Sequence, residues 1–253
     1  TLITLYVTFP FSPTFFYEIN STNSTNSTLG FSHIYVINLV HRTDRRHNME
    51  AIANALSLDF DFFTAISYDN ETLNEYKSDL SPSHKACYVS HYKVWELIAH
   101  QKYESALILE DDVDFEMNIS SIVFKVHRDL PVNWEMVYLG HCSNEGDYFF
   151  KFHHWFNKSL YKLFKSNVPV CTHAYAVSSL GVSKILKELI DPKDPIDWAL
   201  INKIQAGKII SYSLQPSAIV QWKSSVNPSD VSPGAMDAPW ALENSTMNFL
   251  GLT

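Results

Sequence analysis

The sequence predicts an α/β fold with at least some parallel sheet, in one large domain. Strand-like runs alternate with amphipathic helical stretches along the chain, the order that builds βα units. One run, Ala106 to Leu109 in SALILEDDVDFE, is apolar without a break and reads as a buried strand. It leads straight into Glu110, Asp111 and Asp112, then Asp114 and Glu116. Open α/β sheets hold their ligands at the carboxyl ends of strands, where these acids fall. With 253 residues, 46% of them hydrophobic, the chain can bury a full-sized core.

Each element has its own signal. His33 to Leu39 is a β-rich run stopping at Asn38, and His41 to Arg46 opens a helix with apolar positions at Met49, Ile52, Ala53 and Leu56. Asp59 to Ile66 alternates as a second strand, and polar Ser67 to Ser81 is a loop. From Ser83, apolar residues at Val89, Tyr92, Trp95, Leu97 and Ile98 fit a long amphipathic helix that delivers the chain to the acid-tipped strand. Ile119 to Leu130 is a helix closed by Pro131, Trp134 to Leu139 a strand, and Gly140 to Asp147 a loop before an aromatic tract with His153, His154 and Trp155. Thr172 to Val177 is a strand and Ser179 to Ile190 a helix. The Pro-rich DPKDP leads into Ile196 to Ala206, and the last strands are Ile209 to Leu214 and Ala218 to Gln221. Beyond Asn227 the polar, Pro-bearing tail carries no assignable pattern.

Composition narrows the function classes. A net charge of -8 with no run of Lys or Arg argues against nucleic acid, because phosphate binding needs a basic face. Charged residues make up 18% of the chain, below the usual roughly 25%, so Ser, Thr, Asn and attached sugar must supply surface polarity. Seven Asn-x-Ser/Thr sequons, at Asn20, Asn23, Asn26, Asn70, Asn118, Asn157 and Asn244, point to a glycosylated protein of the secretory-pathway lumen, Golgi, ER or secreted; Pro228 excludes Asn227. From Glu18 to Gly30 a threefold Asn-Ser-Thr repeat reads as an exposed, glycosylated linker. The apolar first 17 residues, broken by Pro10 and Pro13, are too short to span a bilayer. They fit either the remnant of a signal or anchor, with a membrane tether upstream, or an arm packed on the domain. Cys87, Cys142 and Cys171 lack C-x-x-C spacing, which disfavours a zinc site and allows one disulfide with one free thiol.

Two readings of the acid cluster stand side by side. It is a solvated strand edge, or its mutually repelling carboxylates are bridged by a cation. Oxygen-only ligands suit a hard metal, Mn²⁺ or Mg²⁺, completed by water or phosphate oxygens. A calcium loop starting at Asp112 fails, since Met117 and Val123 occupy the positions that need Gly and Glu. Without G-x-G-x-x-G or a Walker loop, a phosphate ligand must be neutralised by metal or by arginines such as Arg42, Arg45 and Arg46. Hydrolase and protease motifs are missing from the sequence.

The blocks IYVINLVHRTDRR, CYVSHYKVW, ILEDDVDF, AYAVSSLGVSKIL and PIDWAL, in this order over roughly residues 31 to 225, resemble glycosyltransferase family 25, which includes bacterial lipooligosaccharide galactosyltransferases and collagen galactosyltransferase-like proteins. The resemblance implies a GT-A fold, a Rossmann-like mixed, mostly parallel sheet flanked by helices. It implies an inverting, metal-dependent transfer of a hexose, galactose first, from a UDP-sugar to a glycan or protein hydroxyl. Residues 1–30 would then be arm and linker, 31–225 the catalytic domain and 226–253 a tail. Carried over by position, Asp112 is the direct metal ligand; Asp114 substitutes for it in a D-x-D reading, and otherwise Asp114 and Glu116 read as solvated neighbours. Glu110 and Asp111 would serve the ribose or the metal's water shell, Asn38, Arg42 and Arg45 the nucleotide or its diphosphate, and Ser90 and His91 the donor. For His91 a purely structural hydrogen-bonding role is the competing reading; Trp95 reads as core. Asp197, at the first turn of a helix after Pro195, is the candidate general base, with ordinary helix-start chemistry and Asp194 as rivals. The alternatives are a catalytically silent glycan-binding or complex-forming member, and a nucleotide-sugar hydrolase.

Overall fold

The computed structural model describes residues 26–144, 161–223, 227–231 and 242–252. In chain order the first half comprises β1 (His33–Asn38), α1 (Thr43–Leu56), β2 (Asp61–Thr64), α2 (Pro82–Gln101), β3 (Ser105–Glu110), β4 (Val113–Phe115) and α3 (Ile119–Asp129). There follow β5 (Met136–Gly140), β6 (Ser143–Asn144), β7 (Lys162–Lys165), β8 (Pro169–Val170) and β9 (Ala174–Ser178). The chain continues through α4 (Ser179–Glu188), α5 (Ile196–Gln205), β10 (Ser211–Gln215), β11 (Ile219–Gln221) and α6 (Thr246–Leu250).

Period-two alternation in the strands sets the layers. Ile34 and Val36 of β1 and Leu107 and Leu109 of β3 join one core cluster, with Met49 and Ile52 of α1, Ile122 and Val126 of α3 and Met247 of α6. The intervening Tyr35, Ile37, Ala106 and Ile108 join a second, with Trp95 and Ile98 of α2, Val182 and Ile185 of α4 and Leu200 of α5. Both sheet faces are therefore covered, which is why β3 is apolar at every inner position rather than alternating. Burying two such faces is the main favourable term in folding.

Seven strands form the main sheet in the order β2-β1-β3-β9-β5-β10-β7. β1 pairs parallel with β2 and β3, and β5 pairs parallel with β10. β9 runs against both β3 and β5, and β7 runs against β10, so the sheet is mixed with a mostly parallel core. Two short antiparallel pairs, β4–β11 and β6–β8, cap its carboxyl end beside β3.

The strand and helix order follows the sequence reading, with shifted ends. The predicted strand from Trp134 is displaced to Met136–Gly140, and the predicted strand from Thr172 begins at Ala174, leaving Thr172 and His173 in the approach to it. The loop between β2 and α2 holds a 3-10 turn, Glu71–Glu75, capped by Asn70 Oδ1 on the Thr72 N–H at 2.9 Å. β4, β6, β7 and β8 were not predicted; each is four residues or fewer, too short for alternation to register. The unassigned tail also joins the fold, with Met247 buried and Thr246 Oγ1 donating to Phe115 O at 2.8 Å.

Asn26, Asn70, Asn118 and Asn244 are all exposed, as glycosylation requires. Asn20, Asn23, Asn157, the apolar arm and the tract with His153, His154 and Trp155 lie outside the described residues. Among the described residues no helix is long and apolar enough to cross a membrane.

Candidate active site

Parallel β1 and β3 end side by side, so their last residues project into the same cleft, which offers about 810 Å³ of empty space counting its open mouth. Glu110 at the end of β3 and Asp111 and Asp112 just after it line the cleft, with Arg45 from α1 and Cys87, Ser90 and His91 from α2. Each acid has a different set of partners.

Asp111 is fully served. Asn38 Nδ2 donates to its Oδ2 at 2.7 Å and Arg45 Nη1 to its Oδ1 at 2.8 Å, although burial still raises its pKa. Glu110 Oε1 accepts from Thr172 Oγ1 at 3.0 Å and lies 3.5 Å from His91 Nε2. Burial works against the charge on Glu110, but the bonds from His91 and Thr172 outweigh it and hold this carboxyl below its usual range. Asp112 goes the other way, pushed up to about 7 by burial and by the charge of Glu110. Its nearest donors are long, Arg45 Nη1 at 3.5 Å and Gln221 Nε2 at 3.4 Å.

The Gln221 amide nitrogen also donates to Glu110 Oε2 at 3.2 Å. One N–H₂ group thus contacts both Glu110 and Asp112, whose oxygens converge on a common point. Glu110, partly exposed, and Asp112, buried and under-served, are the carboxylates that could hold a hard divalent cation. Among the described residues, the group of three ligand atoms within 4.8 Å of one another is Cys142, Cys171 and His173, not these acids. A cation at Glu110 and Asp112 would therefore draw its other ligands from water or phosphate, as Mg²⁺ sites ordinarily do.

Asp114 is not brought to this point. Its Oδ1 accepts from the Phe115 and Met247 amides at 2.7 and 3.0 Å, and its Oδ2 from Ser245 Oγ at 2.5 Å, so it anchors the start of α6. Glu116 likewise accepts from the Glu243 and Asn244 amides at 2.5 and 3.1 Å. The D-x-D reading with Asp114 as ligand is set aside because backbone and hydroxyl donors already occupy that carboxylate.

The arginines differ from expectation too. Arg45 is buried, and besides Asp111 it binds Asn227 Oδ1 and Pro228 O at 2.9 and 2.8 Å. Arg42 grips Asp44 at 2.9 Å and also Asp230 and Asn227. Rather than offering open forks to a diphosphate, the pair straps residues 227–230 to α1. Asn38 is committed as well, to Asp111 and to Arg42 O at 3.2 Å.

Ser90 Oγ donates to Ala86 O and accepts the Ile66 N–H, both at 2.8 Å, fixing the cleft wall after β2. Buried His91 joins a chain: Trp95 Nε1 donates to Tyr175 Oη at 2.9 Å, and that hydroxyl lies 2.9 Å from His91 Nδ1. Since indole only donates, the Tyr175 hydrogen is available to His91 Nδ1, which leaves Nε2–H facing Glu110. Asp197 stands half-buried in the first turn of α5, its Oδ2 accepting from the Cys171 N–H at 3.2 Å. The next residue, Thr172, bonds Glu110, so Asp197 is tied to the acid cluster through one residue. Asp194 is exposed, bonds Asn202 at 3.3 Å and lines a separate hollow between α4 and α5.

Thr172, Tyr175, Gln221, Asn227 and Asp230 were not singled out from sequence. Gln221 and Thr172 carried a signal, as the predicted end and start of strands, and Tyr175 lay inside the second of these. Cys142 and Cys171 form a disulfide and Cys87 is free.

The family model of glycosyltransferase family 25, described as LPS biosynthesis protein, matches residues 31–199. A glycosyltransferase 25 family member of Anopheles gambiae is 30% identical over 181 residues, 63% of this chain and 29% of its own length. Procollagen galactosyltransferase 1-B of Xenopus laevis is 28% identical over 131 residues, 44% of this chain and 21% of its own. The human inactive glycosyltransferase 25 family member 3 is 26% identical over 133 residues, 45% and 22% respectively. The chain thus spans less than a third of the curated relatives it matches. The matched segment runs from β1 to Asp197 and Ala199, including the acid-tipped strand and the His91 helix, and on it the chain belongs to glycosyltransferase family 25.

Proposed function

We propose that this chain transfers a hexose, most simply galactose, from a UDP-sugar to a hydroxyl of a glycan or protein, with inversion and with Mn²⁺ or Mg²⁺ bound. The convergence of Glu110 and Asp112 on the Gln221 amide, at the carboxyl end of β3 and inside a cleft, carries this reading. Two relatives named for galactosyl transfer to procollagen support galactose as the sugar and the secretory pathway as the compartment.

Glu110 and Asp112 would hold the cation, which supplies positive charge for the leaving diphosphate. Gln221 would keep the two carboxylates aimed together once its amide yields that point. The apolar cleft wall of Ile37, Leu39 and Ala65, with Tyr68 two-thirds exposed beside it, suits a flat nucleobase. Asp197, oriented by the Cys171 amide, would take the acceptor hydroxyl's proton as the new glycosidic bond forms. Trp198, 48% exposed next to it, offers a stacking face for a sugar ring.

A silent, binding-only chain is the second reading, favoured by one observation: Arg42 and Arg45 are spent on Asn227, Pro228 and Asp230 instead of facing a diphosphate. A thermal-shift screen of UDP-sugars with and without Mn²⁺ tests donor binding, since a ligand of the native state raises Tm. UDP release that rises on adding acceptor establishes transfer. Release indifferent to acceptor indicates hydrolysis, and metal-dependent binding without release indicates the silent chain.

A further inference from the structure

Residues 171–173 bridge the two halves of the site. The Cys171 N–H donates to Asp197 Oδ2, Thr172 Oγ1 donates to Glu110 Oε1 at 3.0 Å, and His173 O accepts the Glu110 N–H at 2.9 Å. The first of the three is held unusually: Cys171 has φ of 70°, a left-handed backbone that residues other than glycine seldom adopt. Its disulfide to Cys142 ties that residue to the end of β5, where Cys142 N donates to Val170 O at 2.8 Å. The amide aimed at Asp197 thus sits on a residue that a covalent bond pins.

Buried His173 stands beside both sulfurs, with one ring nitrogen and the two Sγ atoms within 4.8 Å of one another. Its Nε2 faces the Ile219 carbonyl at 3.2 Å and must donate there, so Nδ1 is a lone-pair acceptor; among the described residues it has no hydrogen-bond partner. In the reduced protein the Cys142 thiol keeps an acceptor in reach, since its Sγ lies 3.7 Å from Gln221 Oε1, which makes reduction tolerable to the fold.

We infer that Cys142 and Cys171 are positioning residues: their disulfide fixes the amide that orients Asp197, and its reduction by a dithiol uncouples Asp197 while the fold and donor site persist. In that step the S–S bond breaks, each sulfur takes one hydrogen, and the dithiol closes to its own disulfide. The inference rests on Asp197 as the general base.

Chain labelled with ¹⁵N-cysteine gives three backbone amide signals, and the Cys171 signal reads the contact without activity. Asp197→Asn should move it in the oxidised protein and leave it in place under dithiothreitol. A Cys171 amide blind to Asp197→Asn when oxidised, or equally sensitive in both states, overturns the inference. In turnover assays, dithiothreitol or the Cys142→Ser/Cys171→Ser double variant should lower kcat about tenfold with the UDP Kd within about twofold, and reoxidation of wild type should restore it. The double variant should not respond to dithiothreitol. Loss of UDP binding in step with kcat would show a structural role only and also overturn it. If the oxidised enzyme transfers no sugar, the transferase reading fails by itself, and the amide experiment still decides whether the disulfide orients Asp197.

Discussion

Two groups of acids stand within seven residues of each other and do different work. Glu110 and Asp112 face a cleft and are met by side chains from several elements, His91, Thr172, Arg45 and Gln221. Asp114 is buried as deeply as Asp112, and Glu116 more deeply than Glu110, yet they are met mostly by backbone amides of the chain's last helix and its approach. A carboxylate saturated by backbone N–H groups is structural cement. One left with long contacts, such as Asp112, is available to a ligand. Burial does not separate Asp112 from Asp114; the identity and length of their contacts do.

The contrast can be broken by measurement. Asp114→Ala strips two amides and Ser245 of a charged acceptor and should cost about 2–3 kcal/mol of stability, read as a lower midpoint in urea unfolding. A cost near zero would remove the structural role. Next comes pH. Asp112 has a folded pKa of about 7, above its value in the unfolded chain, so the native state holds a proton that the unfolded state gives up first. Its contribution is complete below the unfolded value and fades as pH rises toward about 7. In metal-free buffer, wild type should lose a few degrees of Tm relative to Asp112→Asn between pH 4.5 and 7.5, on the scale of about 2–4 °C per kcal/mol. Parallel curves would deny that this carboxylate is under-compensated. The smallest effect is Ser245→Ala, which removes the α6 cap bond to the Asn248 amide at 2.9 Å together with a donor to Asp114 and should cost about 1 kcal/mol with UDP binding unaltered.

The layered α/β plan was legible because β1 and β3 are long, apolar and buried on both faces. The placement of Glu110 and Asp112 followed from their position at a strand's end. The setting of Asp114 was not legible because strand β4 spans only three residues, and no local pattern reveals that Ser245 and Met247, over 130 residues further along, meet its carboxylate. The same reason hid the fate of Arg42 and Arg45: their partners, Asn227 and Asp230, sit in a polar stretch with no periodicity, joined to α1 only by the tertiary fold. β9 enters the sheet antiparallel between β3 and β5, a reversal that composition cannot encode.

The central claim is that the acid run is divided, with Asp112 serving the ligand and Asp114 the fold. Titration of UDP with and without Mn²⁺ into folded Asp112→Asn and Asp114→Asn tests it directly. Asp112→Asn should lose the Mn²⁺-dependent gain in affinity, about 100-fold or about 2.7 kcal/mol, while Asp114→Asn should keep it within about twofold. Equal losses in both variants, or UDP binding indifferent to metal in wild type, would contradict it.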